Sequence, residues 1–112
     1  MSRGLERKIL DDKSTVNTYA DSEIVEFLNY VRALFWIKNT GTKSLDYKIF
    51  GSASIADSDA GWDEVLAETT LTSGSKGKHT ITDAWAKLKI QVKSTLADNP
   101  TTVDAFIVKK RY

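Results

Sequence analysis

Proton transfer and metal binding have few possible seats in this sequence. It holds one histidine, no cysteine and fifteen acidic side chains, so thiolate nucleophiles and thiolate zinc sites are excluded. His79 follows Lys76-Gly77-Lys78 in a glycine-bearing turn and reads as an exposed surface residue. The acids are densest around Asp57-Ser58-Asp59-Ala60-Gly61-Trp62-Asp63-Glu64. Asp57, Asp59, Asp63 and Glu64 could supply a carboxylate pair for glycoside hydrolysis, but their small-residue loop offers nothing to bury one acid and raise its pKa. Asp57, Asp59 and Glu68 also fall where a calcium loop places its first, third and last ligands. Its fifth position is Gly61, without a side-chain oxygen, and Trp62 stands where the sharp turn wants glycine. No GxSxG, HExxH, Walker A or GxGxxG pattern occurs. No catalytic residue, resident metal or cofactor is expected.

Binding chemistry is better represented. Trp36, Trp62 and Trp85 accompany four tyrosines, and aromatic rings stack sugars as readily as they fill cores. Trp36 shares a strand face with Leu34 and Trp85 heads a strand, so both read as packing residues. Trp62, in a loop, is the residue suited to stacking a glycan. Lys87, Lys89 and Lys93 with Lys109, Lys110 and Arg111 read as a basic stripe across the last two strands. No aromatic residue is interleaved on the Lys87/Lys89/Gln91 face, as a single-strand nucleic-acid platform would want. Surface lysines also deter sheet-to-sheet pairing. Sixteen basic against fifteen acidic groups, a formal charge of +1, give no dominant basic face, and no nucleic-acid partner is expected.

The elements that must position these residues are strands. At 112 residues the chain has the size of one domain. From Val31 onward apolar residues recur with period two, the pattern of half-buried strands. Val31, Ala33, Phe35 and Ile37 oppose Arg32, Leu34, Trp36 and Lys38, so one face is core and the other partly covered. Asn39-Thr40-Gly41-Thr42 reads as a turn, and Leu45, Tyr47 and Ile49 as the second strand of a hairpin. A bulged or helical segment follows at 62–68, then strands near 69–72, 79–81, 86–93 and 103–108. These spacings predict an all-β fold: a single antiparallel β-sandwich, immunoglobulin-like or jelly-roll-like, over residues 14–112. Edge strands are expected around Ile24, Val25, Phe27 and Leu28. Residues 1–13 are too charged and sparsely apolar for a stable helix and read as an extended N-terminal arm anchored on a neighbour by Leu5, Ile9 and Leu10.

The charged start, Met1-Ser2-Arg3-Gly4-Leu5-Glu6-Arg7-Lys8, lacks the apolar run of a secretory signal. The best apolar stretch, around Leu34-Phe35-Trp36-Ile37, is too short to cross a bilayer as a helix, so no membrane partner is expected. Charge is polarised: residues 1–30 carry four bases and six acids, and residues 85–112 six bases and two acids. Opposite ends of this kind could complement each other between copies.

Asp83-Ala84-Trp85-Ala86-Lys87-Leu88 resembles the corner that opens the sixth strand of immunoglobulin-like sandwiches, with the aromatic shifted to Trp85 and the following cysteine absent. Phe35-Trp36-Ile37-Lys38-Asn39-Thr40-Gly41, Tyr47-Lys48-Ile49-Phe50-Gly51-Ser52, Leu88-Lys89-Ile90-Gln91-Val92-Lys93-Ser94 and Thr101-Thr102-Val103-Asp104-Ala105-Phe106 resemble small β-sandwich proteins of phage particles and bacterial surface coats. That resemblance spans about residues 31–108. It implies a non-enzymatic virion component, a head decoration, cement or minor capsid protein, located in the particle and partnered by itself or by other virion proteins. The competing expectation is a carbohydrate-binding module that meets a surface glycan through Trp62.

Overall fold

A computed structural model describes residues 5–28, 30–53, 61–83 and 85–111, and every regular element among them is a strand. In chain order these are β1 (Leu5–Ser14), β2 (Ala20–Asp21), β3 (Val25–Glu26), β4 (Arg32–Asn39), β5 (Leu45–Ser52), β6 (Trp62–Leu71), β7 (Lys76–Ile81), β8 (Lys87–Ser94) and β9 (Thr102–Lys110). Sheet A has the order β1-β9-β4-β7, and sheet B the order β2-β8-β5-β6 with β3 also on β8. All pairings are antiparallel, and they match β1 with β9, β2 and β3 with β8, β4 with β7, and β5 with β6. The chain is thus one antiparallel ribbon wrapped into two Greek keys. Of the two sandwich types expected, the strand order is that of the jelly roll.

Period-two patterning sorts the side chains. Ala33, Phe35 and Ile37 of β4 and Val103, Ala105 and Ile107 of β9 are fully buried against Tyr47 and Ile49 of β5 and Leu88, Ile90 and Val92 of β8. Each large apolar side chain so buried contributes about 1.5–3 kcal/mol before ordering costs.

Three expectations are corrected here. Over residues 5–14 the N-terminal segment is not an arm reaching to a neighbour but an edge strand of sheet A, registered on β9 from Leu5↔Lys109 to Ser14↔Thr102. Ile9 and Leu10 are buried in this chain's own core. Register shifts on either side of Leu10 turn both adjacent residues inward, which strict alternation does not allow. Residues 1–4 lie outside the described residues. Secondly, β4 and β5 do not form a hairpin, because they lie in opposite sheets. Asn39, fully buried where the chain crosses over, ties the crossing together. Its amide nitrogen donates to the Lys43 carbonyl at 2.6 Å and the Leu71 carbonyl at 2.9 Å, and its oxygen accepts from Gly41 N at 3.1 Å and Thr101 Oγ1 at 2.8 Å. Thirdly, β8 and β9 also belong to opposite sheets. Lys87, Lys89 and Lys93 therefore share no stripe with Lys109, Lys110 and Arg111.

Candidate functional site

The two outward faces differ in how they are finished. On sheet A, β4 presents Leu34 and Trp36, and β9 presents Phe106 and Val108. Leu34 pairs with Val108 and Trp36 with Phe106 in register. The four side chains are half-buried, and with Glu6 and Lys78 they line a shallow groove of about 330 Å³. The Trp36 and Phe106 rings meet at 5.2 Å with a 58° tilt, a geometry that suits the aromatic quadrupole. Lysines rim the groove. Lys8 Nζ lies 5.3 Å from the Phe106 ring centre and Lys76 Nζ 5.9 Å from that of Trp36. Lys8 is held by Asp11 at 2.7 Å and Asp104 at 3.6 Å, contacts that raise its pKa above the ordinary lysine value, the Asp11 hydrogen bond most. Lys38 and Lys78 make no ion pair among the described residues. By strand alternation this face carries Arg32, Lys8, Lys38, Lys76, Lys78 and Lys110 against Glu6 and Asp104, with Asp11 also on Lys8.

Sheet B closes its outer face with its own side chains. Lys89 Nζ lies 4.4 Å from the Trp62 ring centre and 6.0 Å from that of Phe50, and Lys87 Nζ lies 5.4 Å from that of Trp62. Lys48 and Lys93 cover the Tyr19 ring at 4.9 and 5.6 Å. The ammonium groups are matched by acids: Lys48 with Glu64, Lys89 with Asp21 and Lys93 with Asp46. Tyr19 hydrogen-bonds Glu68, and burial first, then that bond, pushes its phenol well above the usual tyrosine range. Aromatic rings do interleave with these lysines, supplied by β5, β6 and the segment before β2 rather than by β8 itself. The lysine stems lie along the rings, which leaves Lys87 and Lys89 only 9 % exposed.

Trp62 accordingly opens β6 rather than standing on a free loop, and two ammonium groups occupy its ring. Asp57 and Asp59 lie outside the described residues. Asp63 and Glu64 are exposed on β6, and no group of three potential metal-ligating side chains forms among the described residues. No helix there is long and apolar enough to cross a membrane.

His79 is not an exposed turn residue. It lies in β7, opposite Phe35, and faces inward, with Nε2 2.5 Å from the Tyr47 hydroxyl across the sandwich. Burial lowers the imidazole pKa and raises that of the phenol. Gly77 makes the approach possible, since a Cβ there would stand 2.6 Å from the Tyr47 oxygen. His79 also lines a cleft of about 390 Å³ between β6 and β7, with Val65, Leu66 and Asp83.

The groove residues were legible as Leu34-x-Trp36 and Phe106-x-Val108, large apolar side chains at the positions strand alternation assigns to solvent. Trp36 was read as packing, and the structure places it on the outer face instead. Trp85 does pack, covering Gly51 at the end of the core.

No protein-family model and no curated protein matches the sequence. Solved structures share the fold. A subunit of the Bacillus endospore appendages, described as disulfide-linked pili, superposes with a TM-score of 0.59 at 17% identity, covering 100% of this chain and 92% of that one. The SPBc2 prophage-derived protein YomS gives 0.55 at 13% identity, with 96% of both chains covered. A protein of the infectious bursal disease virus particle gives 0.54 at 11% identity, over 96% of this chain and 31% of that one. At these identities the likeness is one of fold.

Proposed function

We propose that this chain is a non-enzymatic structural subunit of a repeating particle, a virion component of the head-decoration or minor-capsid kind, and that it docks through the outer face of sheet A. The groove of Leu34, Trp36, Phe106 and Val108 carries this reading. It is an apolar patch held on a rigid double sheet and ringed by lysines, of which Lys38 and Lys78 make no ion pair among the described residues, the composition of an anchor surrounded by a polar rim. Sheet B supplies the contrast, because the same ingredients there are already matched to one another. A pilus subunit, a prophage protein and a viral particle protein on the same fold are compatible with this role. The glycan-binding alternative loses its main support, since Lys87 and Lys89 lie over the ring that would stack a sugar.

The test is Trp36→Ser. The side chain is outside the core, so the fold should survive with a loss of about 1 kcal/mol, the size of one aromatic pair. Expressed in its source cell, the wild-type chain should sediment with the high-mass particle fraction and the variant should remain in the low-mass supernatant. Wild-type protein absent from the particle fraction, or a variant that enters it equally well, would overturn the proposal.

A further inference from the structure

A two-fold contact of sheet A on a copy of itself would bring together two faces that each carry more basic than acidic side chains, which disfavours it. The complement of sheet A must be acidic and must bring apolar side chains to the groove. Four large apolar residues are more than a third exposed among the described residues: Val16, Ile24, Leu28 and Leu96. Val16 and Leu96 sit at one end of the sandwich beside charges of both signs, with Lys43 in the cleft that Leu96 lines and Asp98 bonded to Asn17 next to Val16. Ile24 (49 % exposed) and Leu28 (54 %) instead belong to the edge segment 20–28 of sheet B, with Asp21, Glu23 and Glu26 and without a single basic residue from position 14 to position 31. In this segment Ser22, Val25 and Phe27 point inward and are buried, while Glu23, Ile24, Glu26 and Leu28 face out. Asp21 and Glu23 are tied to Lys89 and Arg7. The Arg7 pair is half exposed on both sides and cheap to give up.

We infer that the occupant of the sheet A groove is the acidic edge segment 20–28 of a second copy of this chain, with Ile24 and Leu28 seated on Trp36 and Phe106, and Glu23 and Glu26 beside Lys38 and Lys78. This rests on sheet A being the docking face proposed above and adds the partner surface. Donor and acceptor are different parts of the molecule, so the contact is heterologous. Each bound copy offers a fresh groove, and the geometry builds a ring or an open filament rather than a closed dimer.

Mixing two defective variants reads this out. Purified wild type should show a mass in analytical ultracentrifugation that rises with concentration past two chains. Trp36→Ser removes the acceptor, and the double variant Ile24→Ser with Leu28→Ser removes the donor. Each alone should weaken association by at least about 30-fold, the scale of a hot-spot loss, and stay monomeric where wild type assembles. An equimolar mixture should form a heterodimer that stops at two chains, since one intact donor meets one intact acceptor. That outcome also establishes that both variants are folded. A donor variant that assembles like wild type, or a mixture that stays monomeric, refutes the assignment of segment 20–28. If Trp36→Ser alone still blocks particle entry, the sheet A reading survives that result. Wild type monomeric at every concentration refutes the copy-to-copy contact and leaves the particle test to judge the proposed function separately.

Discussion

Replacing Asn39 by alanine should be among the most damaging polar substitutions in this molecule. The side chain is fully buried and makes four hydrogen bonds that join the β4–β5 crossing, the end of β6 and the start of β9. Two of those partners, the Leu71 carbonyl and the Thr101 hydroxyl, sit in buried bonds. Each costs about 1–3 kcal/mol when left unpaired. The other two, the Lys43 carbonyl and Gly41 N–H, are in part-buried bonds that water can replace, at about 0.5–1 kcal/mol each. The expected loss is about 3–8 kcal/mol, a large share of the roughly 5–15 kcal/mol by which domains are stable. Asn39→Asp should be no better. It keeps the acceptor for Gly41 and Thr101 but aims a buried carboxylate at two carbonyl oxygens. Urea unfolding followed by tryptophan fluorescence measures both, with a lowered midpoint and an unchanged slope as the signature. A loss below about 1 kcal/mol for Asn39→Ala would mean that water substitutes for the amide, and the account of Asn39 as the tie of this crossing would fail.

The inward placement of His79 predicts a pH effect of defined sign. Burial lowers its pKa in the folded state below the ordinary 6.5, so between the two values the unfolded chain binds more protons and stability rises with pH. The contribution is complete above about pH 6.5 and is lost as pH falls through that value toward the folded-state pKa. The urea midpoint of wild type should drop between about pH 7.5 and 5.5 and that of His79→Gln should not; equal midpoints in wild type would contradict the assigned environment. Gly51→Ala should cost about 1–3 kcal/mol through overpacking, because the new methyl carbon would stand 2.4 Å from Trp85 Cδ2. In a Trp85→Ala background the same substitution should be nearly neutral, and a thermal-melt double-mutant cycle with no coupling would show that the ring is not what excludes the methyl group.

Much of the candidate site was visible before any fold was known, in the wrong role. Leu34, Trp36, Phe106 and Val108 occupy solvent-side positions of strongly alternating strands, and such positions carry large apolar residues for a reason. Whether the reason is a covering segment or an external partner depends on what lies above the sheet. Alternation fixes the side of a strand but says nothing about its neighbours. The same limit explains the lysines of β8. Their aromatic partners Phe50, Trp62 and Tyr19 are scattered from position 19 to position 62 and meet only when β5 and β6 line up beside β8. His79 was misplaced because Lys76-Gly77-Lys78 looks like a turn. In the fold those residues begin β7, and Gly77 there serves to admit the Tyr47 hydroxyl rather than to bend the chain.

Residue patterning alone makes this protein a two-faced β structure: period-two runs assign a core side and a solvent side to β4, β5, β8 and β9, and local sterics and burial are sufficient for that. It also pointed to an edge strand around Ile24, Val25, Phe27 and Leu28, where Val25–Glu26 forms, but not to the strand at Ala20–Asp21. Which strands pair is a matter of long-range packing. Hydrogen-bond ladders are chemically identical along every strand, so the choice of partner falls to long-range features such as the buried Asn39 network and the bulged β1 that covers the free edge of β9. That choice set the jelly-roll order, drew Ile9 and Leu10 into the core, and left one sheet self-covered and the other with an apolar groove that no side chain among the described residues fills.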